Sequence, residues 1–496
     1  MAARKKSFYI IPGAYSMIGI GTIFRRRTGS GGPLPPDYAK WVKEHMVFWY
    51  DMSKPVDTYS QNFNDWRSHP SVNADIIITS TSFVITRFAT LNDTVKCYIP
   101  DQTKNFPGMK VEVKGIVDGQ ELYWGYSATV KLVDITSDGT YDIPPLETVK
   151  GNLSFRNGNI VGACNITITQ LPSGQSVPTN EILKANPYLQ DFSGNNRPLK
   201  LNNFLFAAMS GVGGYDIAST NILPDRANVT VTDNRIIHIT KKLSTTDNMV
   251  NIVPANSNPT HKFKITGLSD GRQVSLVNRN GGFYTFDNGE HEVTLTYPEG
   301  TTSLYNAIGV TGDIGDMDVT IEFIPRYPNA LVTDGVDDYG QVQNFKSLQN
   351  YMMFFQCAII RPATSKGMFS TTPIEGNIKG WMLLQGNSAN EVRFGNNVYK
   401  NFNVTSSIGD KISYVLSANN ELMTCYVGEE KATIAGTYKQ TGANMSLFLS
   451  DNNNKTRFGS MAFYKSILFD SVPTKENDGF TEQDLINYVL ENLITK

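Results

Sequence analysis

Three aspartates crowd into five residues at Asp334, Asp337 and Asp338. Their oxygens are candidate ligands for calcium, which gathers about six to eight such donors. The same Asp-Gly-x-Asp-Asp run also makes a turn at a strand start, its carboxylates accepting bonds from nearby backbone amides. The turn is the preferred reading, and no metal or other cofactor is expected. A second candidate is Tyr123-Trp124-Gly125-Tyr126, whose rings could stack on a sugar face.

Catalytic patterns are sparse. The histidines His45, His69, His238, His261 and His291 are scattered, with no partner at metal-ligand spacing. His238, within Ile236-Ile-His-Ile239, reads as a satisfied or edge-strand residue. No H-E-x-x-H and no phosphate loop occurs. Glycoside hydrolysis needs two carboxylates roughly 5–10 Å apart across one cleft. Glu429-Glu430, beside a glycine and a lysine, reads instead as a turn. No enzymatic activity is expected.

Charge gives a different signal. The first 30 residues hold six basic groups and no acid, while the whole chain carries a net charge of −2. The apolar run Ser7 to Phe24 lies between Arg4-Lys5-Lys6 and Arg25-Arg26-Arg27. A signal peptide would want a small-residue cleavage site where the three arginines stand. A membrane span wants about 20 apolar residues, and Pro12, Gly13, Gly19 and Gly21 interrupt this run. The preferred reading is an arm that docks on another subunit. Phe8, Tyr9, Ile10, Ile11, Tyr15 and Phe24 would supply apolar area, and the six cations would meet an acidic surface. Neither nucleic acid nor a membrane is expected as a partner. Thr28 to Pro36 is a Gly- and Pro-rich linker, after which Asp37 can cap a helix reaching about Lys43.

The elements that must carry these residues are strands. Charged residues make up only 18% of the chain, beside 23 Tyr and 26 Phe, a mixture suited to pleated surfaces and tight turns. Cys97, Cys164, Cys357 and Cys425 lie far apart and read as free thiols, Cys97 within the strand-like run Val95 to Ile99. Trp381 in Gly380-Trp-Met-Leu-Leu384 reads as core. Self-comparison finds a repeat: Asp75 to Thr79 matches Asn228 to Thr232, Lys110 to Gly119 matches Lys262 to Gly271, and Asn165 to Pro172 matches Asp318 to Pro325. A near-constant offset across three ordered blocks marks two copies of one small β-sandwich. The second copy has no counterpart of the Tyr123 to Tyr126 cluster.

Between the copies lie pieces that cannot stand alone. Met46 to Asp51 (MVFWYD) is a single strand whose backbone groups need a partner. One discontinuous domain, interrupted by both copies, accounts for the pieces. The expected division is 1–36 arm and linker, 37–72 helix and first strand, 73–173 first copy, 174–225 second segment, 226–326 second copy, and 327–496 the main body.

That body carries a resemblance. Asp334-Gly-Val-Asp-Asp-Tyr339, followed by Val342, resembles the strand entry of concanavalin-like, laminin-G-type jelly rolls. Met461 to Phe469 and Thr481 to Leu485 resemble their closing strand and terminal helix. Val47 to Tyr50 and Asp191 to Asn195 resemble their opening strand and acidic turn. The resemblance implies an all-β, discontinuous jelly roll with two inserted sandwiches. The E-x-D-x-x-E strand typical of its glucan-hydrolysing members is missing between Asn329 and Lys496. The whole arrangement is also similar to structural proteins of tailed phages infecting Bacteroidales, including the crAss-like group. This implies a capsid-surface head fibre in the virion, assembled in the host cytoplasm and held by its arm to a capsid shell or auxiliary protein. Such a fibre could touch host glycans, and a homodimer is the default assembly. A tail-associated receptor-binding protein and a bacterial surface lectin are the alternatives.

Overall fold

The computed structural model describes residues 37–495 apart from short stretches, the longest being 97–105, 296–305, 372–381 and 436–444. The arm residues Arg4 to Arg27, Cys97 and Trp381 lie outside the described residues. Among the described residues the chain is all-β with a few short helices.

The two repeat copies fold alike. In the first, one sheet runs in the order Gly139–Ile143, Met109–Lys114, Gly162–Leu171, Ser82–Phe88, Ala74–Ile78. In the second, the order is Gly289–Thr294, Thr260–Thr266, Gly315–Phe323, Ile236–Lys242, Ala227–Thr232, the same strand for strand. Alternation drives burial in both. Val111 and Val113 point inward between exposed lysines, as do Phe263 and Ile265. Gly115 and Gly267 occupy one position of the repeat, with φ of +93° and +87°. A Cβ there would lie 2.0 Å from the Asn165 carbonyl oxygen or 1.8 Å from that of Asp318, so neither site admits a side chain.

The second sheet of each copy corrects the expected boundaries. Arg67–His69 pairs with Thr94–Lys96, and Ile217–Ile222 pairs with Val250–Pro254. The copies therefore begin at 67 and 217 rather than 73 and 226. Both are edge strands of largely polar sequence, so apolar periodicity gave no sign of them.

The jelly roll is a sandwich of two eight-stranded sheets. Phe48, Tyr50, Phe355, Phe369, Phe394 and Phe463 fill the space between them. The outer face of one sheet is covered by the helices Tyr38–His45 and Glu482–Val489, through Trp41, Leu485 and Val489 on Trp49, Phe354 and Phe469. Ser460–Phe469, sandwiched between two cores, is buried at every position. Both helices are capped as their sequences indicate. Asp37 Oδ1 accepts from the Lys40 amide at 3.0 Å, and Thr481 and Asp484 form a reciprocal box. Cys357 and Cys425 are free and buried, which pushes both thiols up; Cys164 is free and half-buried.

Met46–Asp51 finds its partner in Ser460–Phe469, with Met46 opposite Phe469 and Asp51 opposite Lys465. Buried Asp51 and Lys465 form an ion pair at 3.3 Å. The other edge of the strand is closed by the turn at Asp191. Its carboxylate accepts from the amides of Trp49 (2.9 Å), Ser193 (2.9 Å) and Arg197 (3.0 Å) and from the Ser193 hydroxyl (2.9 Å). The Phe192 amide donates to the Trp49 carbonyl, and Asn195 Nδ2 to that of Met46. Each inserted copy hangs on a paired neck. Val56–Thr58 pairs with Gly174–Ser176 at the first, and Gly213 and Gly214 accept from the amides of Tyr327 and Arg326 at the second.

Asp191→Ala removes four accepted bonds and leaves the strand edge open. It is expected to destabilise the jelly roll by about 2–4 kcal/mol, with Asp191→Asn intermediate, as read by urea denaturation followed by tryptophan fluorescence. A pH effect belongs to the second copy. His261 is buried with its Nε2 3.3 Å from Asn306 Nδ2, and burial pushes its imidazole down to about 4 from 6.5. Between those values the unfolded chain binds the extra proton. Stability is therefore intact above about pH 6.5 and falls by about 3 kcal/mol as pH drops through 4. Denaturation at a series of pH values checks this, and His261→Gln should flatten the slope.

Candidate functional site

The three aspartates come together, with one carboxylate oxygen of each within 4.8 Å of the others. Both oxygens of Asp338 and one of Asp334 are committed. Asp338 Oδ2 accepts from the Asp334 amide and Oδ1 from the Ser210 hydroxyl, both at 2.9 Å. Asp334 Oδ1 accepts from the amides of Val336 (2.7 Å) and Asp337 (3.4 Å). Asp338 is wholly buried, which pushes its carboxyl up to about 8. Pinned between an amide and a hydroxyl, and keeping its proton toward neutral pH, this carboxyl serves to hold the turn together. The folded state keeps this proton where the unfolded chain has lost it. Stability is then expected to decline by a few kcal/mol, roughly, as pH rises from about 4 toward 8. Asp338→Asn, neutral throughout, should remove the decline in thermal melts taken across that range.

The aromatic cluster is corrected by its burial. Trp124 has no exposed surface and packs in the first sandwich, 4.8 Å from the Phe155 ring and 5.4 Å from that of Phe106. Tyr123 is 5% exposed and lies beneath Lys131. Their strand, Leu122–Ser127, is paired on both edges, and its register shifts at Gly125, where a Cβ would meet the Val130 carbonyl at 2.1 Å. Neither described ring offers a face to a ligand. The Tyr126 side chain lies outside the described residues.

Among the described side chains the histidines make isolated contacts. His45 Nδ1 meets Asp470 at 2.9 Å, His238 Nε2 meets Asp318 at 2.7 Å, and His291 Nε2 meets the Asp287 carbonyl at 2.8 Å. Gly267-Leu-Ser-Asp-Gly271 matches the G-x-S-x-G pattern of a nucleophile elbow, but its setting does not. An elbow needs a helix after the serine; here the strand Val274–Asn278 follows. The equivalent stretch of the first copy, Gly115-Ile-Val-Asp-Gly119, has valine in place of Ser269. The pattern is a repeat turn.

A concavity that none of these motifs marks lies at the neck of the first copy. It encloses about 590 Å³ between the neck strand, the Thr79 to Ser82 turn of the sandwich, and the jelly-roll segment from Ile182 to Pro198. Tyr59 and Tyr188 line it, and partial burial raises both phenols. Asn186 Oδ1 is buried there, with no bonding partner among the described residues. Asp57 is set by two contacts: its amide donates to Gln190 Oε1, and its Oδ1 accepts from Gln175 Nε2, both at 3.0 Å. The lining joins residues 56–82 to residues 182–198, 100 or more positions apart in sequence (182 minus 82), so spacing along the chain held no trace of it.

No family model matches this chain, and no curated protein matches its sequence. Solved structures give distant likenesses. Sialidase from Trypanosoma rangeli in complex with sialic acid aligns at 10% identity and a TM-score of 0.27, covering 86% of this chain and 84% of the enzyme. Domain 4 of the GH43 arabinanase AbnA from Geobacillus stearothermophilus, with arabinotriose, gives 15% and 0.23, covering 32% and 80%. Domains LG4-5 of the mouse laminin alpha1 chain give 10% and 0.23, covering 54% and 97%. Scores this low carry no site or activity over to this chain.

Proposed function

We propose that this chain is a non-enzymatic structural protein of a phage particle, a capsid-surface fibre held by residues 1–36. The observation that carries the reading is how the arm is rooted. Tyr38–His45 is built into the jelly roll, with Trp41 and Val42 buried against the sheet that also receives the last helix. A basic, apolar arm joined to such a root can transmit attachment to the whole body. The two sandwiches, added in loops, extend that body without breaking its core. The serine, histidine and aspartate motifs described above serve turns and strand contacts, which favours a scaffold over a catalyst. No described helix is long and apolar enough to cross a membrane. The capsid shell or an auxiliary capsid protein is the partner proposed for the arm, with the virion surface as location and a homodimer as assembly.

Deleting residues 1–36 tests this. The truncated chain should stay soluble, with the melting profile of the full chain, and should be absent from purified particles by mass spectrometry. Undiminished incorporation would overturn the anchor. Labelling confined to the tail tip, seen with an antibody against the body, would move the proposal to receptor binding.

A further inference from the structure

We propose that the cleft at the neck of the first sandwich is a binding site for an uncharged oligosaccharide. The proposal stands on the cleft alone and holds wherever the chain is attached.

Size comes first. About 590 Å³ lies within the range of small-molecule sites and matches two or three sugar rings. Lining chemistry comes second. Tyr59 and Tyr188 are half-buried, so each combines an apolar ring with a phenol already partly stripped of water. Sugar rings present C–H faces to such rings and hydroxyls to planar amides and carboxylates. Asn186, Asn196 and Asp57 supply those planar groups, and Thr81 adds a hydroxyl from the sandwich side. The buried Asn186 oxygen still has an unused acceptor, and a sugar hydroxyl is a donor of the right kind.

Charge decides which sugars. Among the described residues that line the cleft there is no lysine, arginine or histidine, and Asp57 contributes a negative charge. An acidic sugar or a phosphate would enter with no cation to meet it. The Asp191 carboxylate, also at the wall, is already occupied by its four donors and adds structure rather than recognition. A neutral glycan is the ligand class left.

The neck adds a reason for the site to be here. Asp57 lies on the Val56–Thr58 strand, whose partner Gly174–Ser176 supplies Gln175 to fix the carboxylate. The wall from the jelly roll, the wall from the sandwich and the neck strand itself are thereby held in register by a paired ribbon. A rigid sugar can bridge all three.

The test titrates the full chain with maltotriose, mannotriose, cellotriose and chitotriose, each followed by saturation-transfer NMR, with sialyllactose alongside. At least one neutral trisaccharide should bind with a Kd of about 10 mM or tighter, and sialyllactose should not. Tyr59→Ala should weaken that binding at least about tenfold. Thr81→Trp, which fills the cleft from the rim of the sandwich, should do the same; it stands as the independent variant if Tyr59→Ala loses its native near-UV spectrum. Three results overturn the site: no neutral probe binding at about 10 mM, equal binding of sialyllactose, or affinity unchanged in both folded variants.

Discussion

The molecule turns on one strand. Met46–Asp51 is buried along its whole length, and neither of its edges is closed by a near neighbour in sequence. One edge is met by the last strand of the chain, the other by a turn contributed between the two insertions. An unpaired backbone group in a dry interior costs on the order of a kilocalorie per mole or more. Six such residues left open would consume much of a domain's net stability. The Asp191 carboxylate and the Asp51–Lys465 pair hold this junction, and they do so differently. The first spends its oxygens on four donors in a part-buried turn. The second is a fully enclosed pair, where removing either partner strands a charge and costs about 3–5 kcal/mol.

With that strand fixed, the remaining architecture is additive. The sandwiches share topology, down to the glycine that no side chain can replace, yet their interiors differ where it matters chemically. The first centres on Trp124 and Phe155 and the second on Phe263 and its neighbours, with His261 and the buried Lys242 among its polar groups. Lys242 donates to the Val310 carbonyl and pairs with Asp247. The fold tolerates these substitutions because each copy closes its own core and touches the jelly roll mainly through its neck.

How far the sequence foretold this depends on what kind of signal each feature leaves. The repeat, the all-β class, the helix caps at Asp37 and Thr481, and the discontinuous domain were legible because each rests on spacing or on residue types with one dominant use. The acidic turn at Asp191 was visible by resemblance, although its task of closing a distant strand edge was not. Tyr123 and Trp124 misled because a cluster of aromatic residues reads the same on a surface and in a core; burial is set by which strands flank it. The edge strands at Arg67 and Ile217 were missed because a polar edge needs no apolar alternation. The cleft left no mark at all, being made of ordinary tyrosines, asparagines and threonines from three separate segments.

The long separation between the first strand and its partner also orders events in time. Met46 and Phe469 are paired across 423 residues (469 minus 46). At the usual pace of synthesis, about 5–20 residues per second, the opening strand waits roughly 20 to 80 s for its mate. Each sandwich, complete within its own stretch of chain, can close during that wait. The nascent molecule is therefore expected to carry two finished modules on an unclosed jelly roll, with the apolar Val47-Phe48-Trp49-Tyr50 segment exposed until the last strand arrives. In a cell with few free chaperones this protein would be lost to aggregation through that segment first, long before any module unfolded.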